Sequence, residues 1–275
     1  MTQKIHFHKM HGSGNDYIYV NTMKYNITNP EEKSKRWSKP HTGIGSDGLV
    51  LIGRSDKADF SMRIFNADGS EALMCGNATR CIGKYVYDQQ LTAKTTITLD
   101  TLSGIKTIKL HLNNKEVNSI TIDMGIPVIK ERSVTVTVNK TVYEGVIVSM
   151  GNPHFIIIVD DITKIDLPTA GPLIENNPIF PDRTNVEFVE IKNKNHVRMR
   201  VWERGSGITM ACGTGACATL AACAAKGKTE RNATVEMDGG SLFLSWDHNN
   251  NIQMTGDAVT VFEGDICDQP DSGLQ

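Results

Sequence analysis

From Thr95 to Gly264 the chain is a close succession of short runs that alternate apolar and polar residues or stay apolar throughout. TTITLD (95–100), TIKLHL (107–112), SITID (119–123), EGVIVSM (144–150), FIIIVD (155–160) and VRMRVWE (197–203) read as strands. So do TVEM (234–237), SLFLSW (241–246), NIQMT (251–255) and AVTVFEG (258–264). Asn113-Asn114, Asp238-Gly239-Gly240 and 247–250 carry the turn chemistry of hairpin tips. Spacing this tight predicts antiparallel meanders rather than strands joined by crossover helices. A chain of 275 residues is long for one core and comfortable for two.

Helices are few. One begins just after Cys75 and runs through Arg80, Ile82, Tyr85 and Val86; another is the alanine-rich stretch from Ala216 to Ala225, ended by Lys226-Gly227. A third is expected from Pro30 to Ser38 with Asn29 as its cap, and a fourth around Pro172 to Asn176. The two main helices point to an internal duplication. MCGNATRC (74–81) leads into one and ACGTGAC (211–217) into the other, about half a chain apart. The predicted division is 1–118 and 119–264, with a tail of about 265–275 returning to the first half.

A thiol at a helix start has specific chemistry. The first four backbone N–H groups of a helix lack internal partners and the dipole there is positive. A cysteine so placed is expected to have its pKa lowered toward neutrality, and a following glycine lets N–H groups close on an anion such as a carboxylate. Cys75-Gly76-Asn77 and Cys212-Gly213-Thr214 each offer a thiol beside such a cradle. Inverting an amino-acid α-carbon needs this equipment twice over. One group removes a proton from one face, a second delivers a proton to the other, and donors on the carboxylate stabilise the carbanion more than the ground state.

The strings KMHGSGNDY (9–17), FNADGSEALMCGNATRC (65–81), MGNPHF (150–155), RTNVEF (183–188) and VWERGSGITMACGTGAC (201–217) resemble the signature segments of the diaminopimelate epimerase family, in its order and spacing. The resemblance implies an α+β fold of two pseudo-symmetric domains. Each is a mostly antiparallel, barrel-like sheet around a central helix, with the site in the cleft between them. It implies an isomerase that needs no cofactor and interconverts LL- and meso-diaminopimelate, feeding lysine and peptidoglycan synthesis. By the same resemblance Cys75 and Cys212 match the acid/base pair, and Gly76, Asn77, Gly213 and Thr214 match the groups that hold the reacting carboxylate. Glu203 and His154 match residues flanking the reacting centre. Asn66, Asn152, Asn185 and Arg204 match the set that grips the distal end of the substrate, and Asn15 matches another substrate contact. The chain departs from many members at Ala78, where they have glycine, and at Ile208, where they have glutamate. Members often form homodimers, which is the expected assembly.

Other classes fare worse. A formal net charge of -2, with lysines and arginines scattered, gives no field for nucleic acid or anionic lipid. No run of ~18 apolar residues suggests a membrane span, and the opening MTQKIHFHKMHGSGND has no apolar signal core, so the expected compartment is the cytoplasm. There the six cysteines should be thiols, with Cys81, Cys217 and Cys223 packing in the core and Cys267 without a role. Their C-x5-C and C-x4-C spacings do not match a metal site, and none is expected. Gly43 to Gly48 fits G-x-G-x-x-G but leads into a strand, which favours a glycine-rich turn over a dinucleotide loop. The alternatives are a racemase on the same scaffold acting on another amino acid, such as histidine, and a catalytically silent thiol or metal-binding module.

Overall fold

The computed structural model describes residues 3–268, which divide into two compact units, 3–120 with 257–268 and 121–256. In the first unit, β1 (Gln3–Gly12) pairs antiparallel with both β2 (Asn15–Asn21) and β18 (Val259–Asp268). Helix α1 (Pro30–Trp37) crosses from β2 to β3 (Gly48–Gly53), which lies parallel to it. The chain turns back into β4 (Phe60–Asn66) and the short β5 (Glu71–Ala72). Helix α2 (Gly76–Asp88) then leads to β6 (Thr96–Thr101), parallel to β4, and β7 (Gly104–Asn113) closes the run antiparallel to β6.

The second unit repeats this order. After β8 (Glu116–Asp123), β9 (Val128–Val138) and β11 (Pro153–Val159) flank β10 (Thr141–Ser149), both antiparallel. Helix α3 (Leu167–Glu175) crosses to a parallel β12 (Asn185–Asn193), which turns back into β13 (His196–Glu203) and the short β14 (Gly207–Ile208). Helix α4 (Gly213–Ala225) leads to β15 (Asn232–Met237), parallel to β13. The antiparallel β16 (Gly240–Trp246) and β17 (Ile252–Gly256) follow. The repeated order gives the duplication a topological basis that the short sequence match lacked.

The sheets are mostly antiparallel but are not simple meanders: each unit holds two parallel pairs, because its two helices are crossovers. Three further expectations change. The second unit ends at Gly256 rather than 264, since β18 returns to β1 with His8 opposite Glu263. Of the expected tail, 265–268 belongs to β18 and 269–275 lies outside the described residues. The fourth helix begins at Leu167, where Asp166 Oδ1 accepts from Thr169 N, and takes Pro172 into its interior. Asn29, the expected cap of α1, is left-handed (φ 50°) and its side chain makes no cap bond.

Gly43 to Gly48 finds its role at the end of α1. Ile44 N and Gly45 N both donate to Trp37 O, and a Cβ on Gly43 would fall 2.5 Å from that same carbonyl oxygen. The stretch is a helix stop.

Helices α2 and α4 sit inside their sheets. Helix α4 touches eight strands of its own unit, and every residue from Gly215 to Cys223 is buried. Only small side chains let strands close on a helix from all round, and the run ACATLAAC supplies them. Cys81, Cys217 and Cys223 are part of this packing, each 0 % exposed, and burial pushes the Cys81 and Cys223 thiols up to about 12. Because Ala218 is fully enclosed, Ala218→Leu overfills the centre of unit 2. It should lower stability by about 1–3 kcal/mol in urea denaturation, whereas a leucine at exposed Lys226 should change little.

Candidate active site

In each unit the buried helix begins on a cysteine in extended backbone. Cys75 caps α2 at φ -136°, ψ 122°, and Cys212 caps α4 at φ -124°, ψ 109°. The two starts differ in how the sulfur is used.

At Cys212 the sulfur takes the place of a capping oxygen, accepting from Gly215 N at 3.4 Å. Thr214 Oγ1 lies 3.5 Å from the same sulfur. Asn152 Nδ2 donates to Thr214 Oγ1 at 3.3 Å, and Asn152 Oδ1 is 3.1 Å from His154 Nε2. His154 Nδ1 in turn is 2.7 Å from Glu187 Oε1, with both residues 0 % exposed. A hydrogen-bonded chain thus runs from Glu187 through His154, Asn152 and Thr214 to the Cys212 sulfur. With Asn152 Oδ1 accepting, His154 Nε2 is a donor. Glu187 Oε2 has no partner among the described residues. Gly215 makes room for this carboxylate, since a Cβ there would stand 2.6 Å from Glu187 Oε1.

Glu203 stands on the other side of Cys212 and accepts from Thr209 Oγ1. Burial raises its pKa, with hydrogen bonds from Thr209 and Cys212 acting in the opposite sense. For Cys212 the expected fall in pKa is reversed. Burial, then the charges of Glu203 and Glu187, push the thiol well above its ordinary value, against smaller lowering effects from Thr214 and Gly215. The magnitudes explain the sign. A helix start offers a charge up to about 2 kcal/mol. One like charge at 4 Å costs about 4 kcal/mol at an effective dielectric of 20, before any desolvation. The helix start is thus outweighed, and the Cys212 thiol holds its proton more tightly than an ordinary cysteine.

At the first unit's helix start, Cys75 is half-buried and its side chain makes no cap bond. Its Sγ donates to Asn15 Oδ1 at 3.3 Å, which also accepts from Asn77 Nδ2 at 3.3 Å. Asn15 Nδ2 donates to Asp47 Oδ2 at 2.7 Å. Behind them Arg80, 0 % exposed, donates from Nη2 to Asn77 Oδ1 at 2.9 Å and from Nε to Asp257 O at 2.9 Å. Asp16 is paired with Lys9.

The expected distal set is placed unevenly. Arg204 is exposed and, with Asn152 and Asp182, lines a depression of about 460 Å³. Its Nη1 donates to Asp182 O at 2.9 Å. Asn185 is buried with its amide committed to backbone, Nδ2 to Pro153 O and Oδ1 from Arg204 N, so it holds Arg204 in place. Asn66 gives its Nδ2 to Ser70 Oγ at 3.0 Å in the β4–β5 turn. Ala78 is buried within α2, while Ile208 is exposed on β14. Sequence reasoning passed over Glu187 and Arg80. Each left one signal, a charged residue inside a run that otherwise reads as buried strand or helix.

Comparison with known proteins bears on this arrangement. The fold matches hydroxyproline epimerase from Agrobacterium vitis with TM-score 0.75 at 14 % identity, over 96 % of this chain and 92 % of that one. It also matches a phenazine biosynthesis protein of the PhzF family from Bacillus anthracis, with TM-score 0.70 at 17 % identity, over 96 % and 99 %. The fold is thus one shared with amino-acid epimerases, and here it carries a helix-start thiol in each duplicated unit. The family model described as diaminopimelate epimerase matches residues 7–130 and 146–261. Diaminopimelate epimerases from Parabacteroides distasonis and Methanococcus maripaludis are 61 % and 52 % identical, over 97 % and 94 % of this chain and 99 % of each relative. The chain belongs to the diaminopimelate epimerase family, and it is an isomerase.

The charge on Glu203 is one cause of the high Cys212 pKa. Glu203→Gln should therefore shift the pH profile of Cys212 alkylation by iodoacetamide to lower pH, read by mass spectrometry of the Cys212 peptide. An unchanged profile would remove Glu203 from the account of that thiol.

Proposed function

We propose that this protein interconverts LL- and meso-2,6-diaminopimelate by a two-thiol proton transfer that requires no cofactor. The observation that carries the reading is the cysteine at the start of the buried helix in each of two topologically repeated units. Membership of the family and near full-length relatives named diaminopimelate epimerase support the substrate.

In this reading each thiol serves one face of the substrate α-carbon. A thiolate takes the α-proton, the other thiol supplies a proton from the opposite side, and the reverse reaction exchanges the roles. Cys212, held as a thiol by burial and its carboxylate neighbours, enters as the donor. Cys75 then serves as the base. The carbanion's charge passes into the substrate carboxylate, where N–H groups of the helix first turns at Gly76, Asn77, Gly213 and Thr214 stabilise it. The Cys212 sulfur already occupies Gly215 N, whereas Cys75 makes no such bond. This leaves the α2 start the freer anion site. His154 and Glu203 orient the reacting centre, with Glu187 behind His154.

Arg204 is the candidate for the distal carboxylate. It is exposed beside a depression, one of its N–H groups is spent on Asp182 O, and its fork suits a carboxylate. Asn15, Asn66, Asn152 and Asn185 complete the proposed binding set, Asn185 by holding Arg204. We place the enzyme in the cytoplasm as a homodimer, feeding lysine and peptidoglycan synthesis. Among the described residues no helix is long and apolar enough to cross a membrane.

Purified protein incubated with LL-diaminopimelate in heavy water, without pyridoxal phosphate, should incorporate deuterium at the α-carbon and form the meso isomer. Cys75→Ser and Cys212→Ser should each lower epimerisation by about 100-fold or more, the scale of a lost acid/base group. Full activity in either variant refutes the assignment. Arg204→Ala should lower kcat/KM for diaminopimelate by roughly 30-fold or more, about 2 kcal/mol for a lost charged hydrogen bond. A small effect would favour a racemase of an amino acid without a distal carboxylate.

A further inference from the structure

Among the described residues, one group of three metal-ligating side chains lies apart from the thiols, where β1 and β18 pair. His6 and His8 are two residues apart on β1 and so project from the same face. Glu263 is opposite His8 in the register, and Asp265 is opposite His6. One ligand atom from each of His6, His8 and Glu263 falls within 4.8 Å of the others. Glu263 Oε2 is 3.0 Å from His8 Nε2 and 3.7 Å from His6 Nε2. We propose that His6, His8 and Glu263 form a binding site for a divalent transition-metal ion of the zinc type, with water completing the coordination.

The donor set suits that ion, since imidazole and carboxylate are ordinary zinc ligands at about 2.0–2.2 Å. Two tetrahedral ligands at such lengths stand about 3.3 Å apart, and the separations of 3.0 Å and 3.7 Å bracket that value. Asp265 Oδ1 lies 2.9 Å from His6 Nδ1, the kind of carboxylate–histidine contact that orients a metal-bound imidazole from behind. Lys4 occupies the other oxygen of Asp265 at 3.0 Å, outside the cluster.

His8 is buried against the Tyr85 ring. Gln89 Nε2, 3.2 Å from His8 Nε2, is the group a metal would displace. Glu263 is exposed and His6 half-buried, which gives solvent and ion a route in. None of the six cysteines takes part, so the argument against a metal from cysteine spacing does not apply. A bound ion would fasten the returning strand β18 to β1.

The test is titration of the EDTA-treated full-length protein with zinc chloride and, for spectroscopy, cobalt chloride. One ion should bind per chain, raise the melting temperature, and give cobalt d–d absorption without a thiolate-to-cobalt charge-transfer band. His6→Asn and Glu263→Gln should each weaken binding by more than about tenfold with the fold unchanged by circular dichroism. Asp265→Asn, acting through His6, should cost about 10-fold. These surface substitutions avoid removing buried His8. Failure to bind at millimolar zinc, undiminished binding by His6→Asn, or a thiolate band that puts the ion on cysteine would each overturn the proposal.

Discussion

A helix buried along most of its length leaves its first turn of N–H groups little water to satisfy them. Helix α4 is in that position, enclosed by strands of its own unit and lined with alanine, cysteine and glycine, with every residue from Gly215 to Cys223 buried. Whatever stands at its start must accept hydrogen bonds. Here the acceptor is the Cys212 sulfur, engaged by Gly215 N. Structural need and chemical opportunity therefore fall on one atom: the group that terminates the helix is also the group with a proton to give. Helix α2 poses the same problem, and Cys75 leaves it open by turning its thiol to Asn15 instead.

The surroundings of Cys212 show why a helix start alone does not make a thiolate. Two carboxylates, Glu203 and Glu187, bear on a sulfur only 5 % exposed. Their repulsion and the loss of hydration outweigh the dipole. Glu187 is costly to bury, with one oxygen unpartnered, yet its other oxygen holds His154, which reaches Thr214 through Asn152. Buried charged networks of this kind fix geometry rather than add stability. Arg80 plays the corresponding part in unit 1, fixing Asn77 and the backbone at Asp257, the residue where the chain re-enters that unit.

Much of this was legible in the residues alone. Strands β6 to β8, β10, β11, β13 and β15 to β18 follow the alternation of apolar residues, and α2 and α4 begin where Cys-Gly announces them, whereas β9 and β12 escape that reading. Period and turn chemistry are local properties, so a one-dimensional reading recovers them. The four parallel pairs escaped it, because pairing partners are far apart in sequence. The start of α3 escaped it too, since Pro172 inside the helix reads as a boundary while Asp166, six residues earlier, supplies the cap.

The residue types at positions 75–77 and 212–214 determined that two thiols would lie at helix starts, because a cap depends only on its neighbours in the chain. The family followed from the same strings. Tertiary structure alone decided the raised pKa of Cys212 and the approach of His6 and His8 to one Glu263 oxygen across two strands. It also decided that Glu187 would stand behind His154 and that Asn185 would spend its amide on backbone. Each of these depends on burial and on charges brought together from distant parts of the chain. Desolvation and Coulomb energy are properties of the packed volume and have no counterpart in the order of residues.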